Sequence, residues 1–298
     1  MLDQAHTLRK LVESAAPAAP AAFPAPPMIV VTGGRAKVGS TTVAVNLAAV
    51  LADQGERVVL VDAAPHDAGV EQIAGGLAIE RSISEVVAGG CRAAEALAPG
   101  PAGTLVLAHR RSEAAHLDCS RRGQQRLLAG LQSLQEEASL LVIDTGSGLT
   151  PWTRRFWLRA RLVLAVTTTD DLALMDCYAL VKRSMADGIA ADLRVLANQC
   201  DSDAIASDVY GRLSNACQRF LSQRIRTLPP LPTYRPDDSP GGRAVARVWE
   251  APNTAFGHAA LWLGQAVSAA MENGEATAVN ATCGARVPRE FSRNTARC

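Results

Sequence analysis

From Met28 onward one pattern repeats: a short run of aliphatic, largely β-branched residues, a break, then a longer stretch with apolar positions at helical spacing. The runs predict strands over Met28–Thr32, Arg57–Asp62, Thr104–Ala108, Ser139–Asp144, Leu162–Thr167 and Leu193–Asn198, with a last short one at Arg226–Leu228. They are apolar throughout rather than alternating, as in a parallel sheet covered on both faces. The periodic stretches predict helices over Thr41–Asp53, Ser82–Val87, Arg121–Glu137, Leu172–Asp187, Asp203–Gln223 and Phe256–Met271, with Ser82 and Glu85 spaced as a capping box. Strands and helices in succession mean an α/β fold: a doubly wound, mostly parallel sheet with flanking helices.

The pattern divides the chain into four parts. Residues 1–13, MLDQAHTLRKLVE, read as a short amphipathic helix with Asp3 as N-cap and Ala5, Leu8, Leu11 and Val12 on one stripe. Residues 14–27 form a linker; Ala15 to Pro27 alone holds seven Ala, five Pro and one Phe, a density that favours an extended arm. At ~3 Å per residue that arm reaches about 40 Å. A helix this short is marginal alone in water and is expected to order against another surface. Residues 28–271 are the α/β body, and 272–298 lack any period and read as disordered.

Composition narrows the class. A hydrophobic fraction of 48% is ample for a core, but with 12 aromatic residues that core must be built from Val, Leu, Ile and Ala. Thirty basic residues against 29 acidic ones carry no general nucleic-acid signature. No apolar run reaches the ~20 residues that span a bilayer. The leader, with Asp3 and Glu13, lacks the apolar stretch of a secretory signal, so a cytoplasmic protein is expected. Membrane attachment stays open: Phe256–Met271 has no Lys or Arg, and Arg286, Arg289, Arg293 and Arg297 follow without helical period. None of the seven cysteines sits at CxxC spacing and the five histidines do not cluster with them, which argues against a disulfide framework or a zinc site. Only Lys10, Lys37 and Lys182 are lysines. Such an arginine-rich background accounts for a lysine missing from the surface, not for one missing from a dedicated chemical role.

The chemistry concentrates in Met28–Ala49, where a buried strand meets a glycine-containing turn and a helix follows at once. That arrangement aims backbone N–H groups and a helix N-terminus at one anion. The phosphate-loop pattern G-x-x-x-x-G-K-[ST] is met at Gly34, Gly39 and Thr41, but the lysine position is Ser40. Asp144 closes a buried strand at the carboxyl edge of the sheet, where ligands bind in such folds. On their own residues, Asn198 reads as a strand-end turn residue, and Trp152, Phe156 and Trp157 read as a core stripe.

The segment Gly34-Arg35-Ala36-Lys37-Val38-Gly39-Ser40-Thr41-Thr42 resembles the deviant Walker A loop, G-K-G-G-V-G-K-T-T, of the MinD/ParA family of P-loop proteins. The likeness continues through Asp144 in VIDTGSGL, Thr167–Asp170, Met175–Lys182 and Asn198 in VLANQ. The DTGSG form is similar to the flagellar FlhG/FleN/YlxH branch, whose N-terminal DQAxxLR motif matches Asp3, Gln4, Ala5, Leu8 and Arg9. The resemblance implies ATP and magnesium as cofactors, with Thr41 and Asp144 on the metal side, Asp62, Asp144 and Gly146 in the switch regions, and Asn198 at adenine. It implies an opening helix that binds an FlhF-like, signal-recognition-type GTPase and stimulates GTP hydrolysis. A homodimer, flagellar basal-body partners and transcriptional regulators belong to the same picture.

The departures from the family fall on the chemistry. Ser40 replaces the lysine that reaches the β- and γ-phosphates. Arg35 stands for the signature lysine that crosses the dimer interface, and Ala36 and Lys37 replace two glycines. The switch I run Asp62-Ala63-Ala64 keeps the first aspartate of Asp-x-Asp, but the one that orients water is Ala64. The expected function is therefore a regulator of flagellar number or placement in which ATP binding and hydrolysis are weakened or lost. The alternatives are a working ATPase that dimerises on ATP, and a ParA-like factor for another cargo.

Overall fold

The computed structural model describes residues 25–64, 69–110, 120–234 and 247–273, and these form an eight-stranded sheet. The strands are β1 Met28–Gly33, β2 Val58–Asp62, β3 Ala98–Pro99, β4 Leu105–Leu107, β5 Leu140–Ser147, β6 Leu162–Thr167, β7 Asp192–Ala197 and β8 Arg226–Thr227. Their spatial order is β3-β4-β2-β5-β1-β6-β7-β8, and only β3 runs antiparallel to its neighbour. The helices are α1 Ser40–Asp53, α2 Gly69–Ala74, α3 Ile83–Ala88, α4 Arg121–Gln132, α5 Pro151–Trp157, α6 Asp171–Ala186, α7 Asp203–Leu221 and α8 Ala255–Asn273.

Successive side chains of a strand leave opposite faces, and each face has its own core. Val30, Val61, Ile143, Ala165 and Val195 point to the face covered by α3, α4, α5, α6 and α7. Ile29, Val31, Leu60, Val142, Leu164 and Leu196 point to the face covered by α1, α2 and α8. Both faces are covered by helices, which is why the strands carry no polar alternation. Helix α1 is buried along Val43–Leu51, and α8 crosses it so closely that a Cβ on Gly264 would lie 2.4 Å from a Val50 methyl carbon. Asn46 ties this layer together: its Nδ2 donates to the Thr42 carbonyl at 2.8 Å and its Oδ1 accepts from the Val248 N–H at 2.7 Å.

Every expected strand is present, and all but β5 match at each end to within one residue. β5 runs on past Asp144 to Ser147 because Gly33 and Ser147 pair across a register shift. α4 stops at Gln132 rather than Glu137: the Ser133 hydroxyl donates to the Gly130 carbonyl at 2.8 Å, and Leu134 then turns into the core. α2, α5 and β3 add to the predicted elements. The Trp152, Phe156 and Trp157 stripe is α5, capped by Thr150 with Pro151 in its first turn, and all three rings are buried. At α3, Glu85 accepts from the Ser82 N–H at 3.4 Å.

The thiols at Cys177, Cys200 and Cys217 are free and buried, and Cys91 is half-buried. Burial pushes Cys177 up to about 12, so it packs as an inert thiol at neutral pH. No group of His, Cys, Asp or Glu suited to a metal is found among the described residues. Among them no helix is long and apolar enough to cross a membrane. The leader helix expected at 1–13, the linker up to residue 24 and the tail from residue 274 lie outside the described residues.

Candidate phosphate site at the carboxyl edge of the sheet

The turn between β1 and α1 emerges at the middle of the sheet, between the ends of β5 and β6, with those of β2 and β7 one strand further out. Gly39, at φ +85°, stands as N-cap of α1 without a side-chain cap, so the first N–H groups of the helix are left to the loop side. The loop is tightly wound. A Cβ on Gly33 would meet the Arg35 carbonyl at 2.9 Å, and one on Gly34 would lie 2.7 Å from the Asp176 backbone of α6. Only glycine allows this approach.

Two strand ends, those of β7 and β5, hold the loop from beneath. Asn198, buried at the end of β7, donates from Nδ2 to the Val38 carbonyl at 2.9 Å and lies against Gly39. That bond supports the loop and uses one of its amide protons. On the β5 side, the Gly146 carbonyl accepts from Thr32 Oγ1 at 3.3 Å and from Ser40 Oγ at 3.5 Å, and the Gly148 N–H donates to the Gly33 carbonyl at 2.8 Å. Ser40 is itself buried, and its hydroxyl is turned to the Gly146 carbonyl of β5 rather than out of the loop.

The cationic positions are placed otherwise than in a charged phosphate cradle. Arg35 pairs within its own chain with Asp170 at 3.2 Å and Asp176 at 3.7 Å. Both pairs are about half exposed, so they are worth at most about 1 kcal/mol and release easily. Asp170 also caps α6 by accepting from the Ala173 N–H at 3.0 Å. Lys37 is exposed, makes no ion pair among the described residues and sits at φ +69°, a conformation that costs a non-glycine residue ~1–2 kcal/mol. Replacing it by glycine relieves that strain but adds entropy to the unfolded chain. Lys37→Gly is therefore expected to stabilise the fold by about 0.5–1 kcal/mol, read from urea unfolding midpoints. Unchanged nucleotide behaviour in the same variant would separate strain from a phosphate role for the lysine.

The carboxylates sit deeper. Asp62 and Asp144 are register neighbours on β2 and β5 and both are fully buried. Asp144 Oδ1 accepts from the Gly146 N–H at 3.0 Å, and Asp62 Oδ1 accepts from the Ala64 N–H at 3.3 Å. Ala64 is 4% exposed, packed so that a Cβ on Gly146 would lie 3.2 Å from its own. Trp152 links the start of α5 to the end of β2, its indole Nε1 donating to the Ala63 carbonyl at 2.7 Å. That bond joins α5 to switch I, a link that the sequence stripe alone did not suggest. Gly69 of α2 lies beside Thr41, 2.9 Å separating its would-be Cβ from the threonine methyl. Sequence reasoning missed this neighbour because six residues are too few to show a period.

The structure thus gathers Gly34, Arg35, Gly39, Ser40, Asp62, Asp144, Gly146 and Asn198 at one edge, with Thr41 and Thr42 opening α1. Asp3, Gln4, Ala5, Leu8 and Arg9 lie outside the described residues. The backbone cradle fits a phosphate, and Thr41 and Asp144 are of the donor types that suit magnesium. Ser40 and Ala64, at the positions that the resemblance gives to the phosphate-binding lysine and the water-orienting aspartate, carry no charge.

Residues 29–228 match the model of the CobQ/CobB/MinD/ParA nucleotide binding domain. The antiactivator FleN of Pseudomonas aeruginosa is 31% identical over 205 residues, 69% of this chain and 73% of that protein. The flagellum site-determining protein YlxH of Helicobacter pylori is 28% identical over 212 residues, 65% of each chain. Among solved structures, the septum site-determining protein MinD of Pyrococcus horikoshii, complexed with Mg-ADP, superposes with a TM-score of 0.64 at 18% identity. That superposition covers 81% of this chain and 95% of the other.

Proposed function

Because this chain belongs to the CobQ/CobB/MinD/ParA nucleotide binding domain family, with the flagellar proteins FleN and YlxH among its relatives, we propose that it regulates the number of flagella as a binding protein. In this reading the body is a homodimerising scaffold whose ATP cycle is weakened or lost, and residues 1–13 engage an FlhF-like GTPase. The observation that carries the reading is the state of the phosphate loop: Ser40 turned to Gly146, Arg35 paired at home, and Ala64 buried where a carboxylate would orient water. A nucleotide that does bind would be held by the backbone cradle, with Thr41 and Asp144 toward magnesium and Asn198 toward adenine. No hydrolytic step follows from the residues present.

Deleting the gene is expected to raise the number of flagella per cell, counted by electron microscopy, and a Ser40→Ala allele is expected to restore it. An unchanged count in the deletion strain would contradict the regulatory reading. Failure of Ser40→Ala to complement, in a protein that still folds, would favour the alternative in which ATP drives the function.

A further inference from the structure

The end of the sheet opposite the phosphate loop, where β6, β7 and β8 begin, opens into a cavity of about 450 Å³. Arg161, Arg194, Arg224 and Arg226 line it, with Asp192 as the one lining carboxylate, so its walls carry an excess of three positive charges. The four cations come from separate places: Arg161 precedes β6, Arg194 lies on β7, Arg224 follows α7 and Arg226 opens β8. Asp192 takes Arg194 at 2.9 Å and Arg226 at 3.0 Å, so one carboxylate serves two guanidinium groups. The next acid along, Asp187, is already held by Arg154 at 3.0 Å and Arg183 at 3.2 Å. Arg224 is exposed and makes no ion pair among the described residues. Arg161 donates from a terminal nitrogen to the Met271 carbonyl, while its Nε is buried without a hydrogen-bond partner. Unused donors gathered around a cavity call for an acceptor.

Charge covers only part of the wall. Ile189 and Ile225 add an apolar stretch, half-buried against the core, and Met185 joins them at 40% exposure. An inorganic anion would use the arginines, leave that stretch wet and fill little of a volume that suits a small organic ligand. A guanidinium supplies both functions that a nucleotide requires: paired N–H donors to phosphate and a flat face for a base. We propose that this cavity binds a nucleoside monophosphate, its phosphate on Arg194, Arg224 and Arg226 and its base between a guanidinium face and the wall of Ile189 and Ile225. The site is separate from the phosphate loop, which lies at the other end of the strands and offers backbone N–H groups rather than arginines. The inference is independent of the flagellar reading.

The test is isothermal titration calorimetry of the full chain with AMP, in EDTA so that no magnesium assists the phosphate loop. Binding is expected, and it should weaken as salt rises, since exposed charges are screened. Adenosine and glycerol 1-phosphate, which each keep one half of the ligand, should bind about tenfold more weakly or worse. Arg224→Ser should weaken AMP about tenfold through loss of one charge-assisted contact, and Met185→Glu about as much by setting a carboxylate beside the phosphate. Both side chains are exposed, so an unchanged thermal midpoint accompanies the loss. Asp192→Asn should act the other way and tighten AMP about threefold, because it frees two guanidinium groups from their ion pairs. Photo-crosslinking with 8-azido-AMP, mapped by mass spectrometry, should label residues 184–194 or 223–226. Absence of AMP binding, equal affinity for glycerol 1-phosphate, or labelling confined to the loop at residues 34–42 would each overturn the proposal.

Discussion

Replacing Ser40 by lysine is expected to raise the affinity for ATP about ten- to hundredfold and to leave hydrolysis at background. The gain is that of one charge-assisted contact to phosphate, ~1.5–3 kcal/mol. Little is lost in exchange, because the bond from Ser40 Oγ to the Gly146 carbonyl is already long at 3.5 Å. Turnover is expected to stay low because Ala64 cannot orient water, and one carboxylate oxygen each of Asp62 and Asp144 already accepts a neighbouring backbone N–H. Adding Ala64→Asp is needed for measurable turnover. In the absence of nucleotide it should also destabilise the fold by about 1–3 kcal/mol, because position 64 is buried against Gly146. A phosphate-release assay and thermal melts on the single and double variants check both parts. Turnover by the Ser40→Lys protein alone would show that another group activates the water.

The second large effect is expected from the leader. A peptide of Met1–Glu13 should accelerate GTP hydrolysis by the cognate FlhF-like protein without the body, on the order of a hundredfold, the scale of a single positioned catalytic group. In the helix expected there, an apolar stripe of Ala5, Leu8 and Val12 is too narrow for stability free in water, so binding and folding are expected to come together. Gln4 offers a neutral donor and acceptor able to order a water, as glutamine does in other GTPases, and Arg9 can pair with an acidic or phosphate group. Gln4→Ala should abolish acceleration and spare binding, whereas Leu8→Ala should weaken binding itself. An unchanged GTPase rate at saturating peptide would remove the partner assignment.

The sheet was legible because its strands are buried on both faces: an all-apolar run such as Leu162–Thr167 has no competing reading once turns flank it. Short elements were not. Gly69–Ala74 spans fewer than two helical turns, and Ala98–Pro99 carries a proline that sequence rules set against a strand but that an edge tolerates. The loop itself was readable from Gly34, Gly39 and Thr41, since the anion cradle needs those residue types in that order. What surrounds it was not. The bond from Asn198 to Val38 spans 160 positions, and the contact of Trp152 with Ala63 depends on how α5 packs. Arg35 shows the limit most clearly: its identity announced a changed signature position, but its pairing with Asp170 and Asp176 is set by where α6 begins.

The central claim is that this fold keeps its phosphate loop without the charge that makes it an ATP site. Titration of the unmodified full chain with a fluorescent ATP analogue and magnesium tests it most directly. No saturation is expected in the low micromolar range; tight, saturable binding there would show that the loop still makes an ATP site.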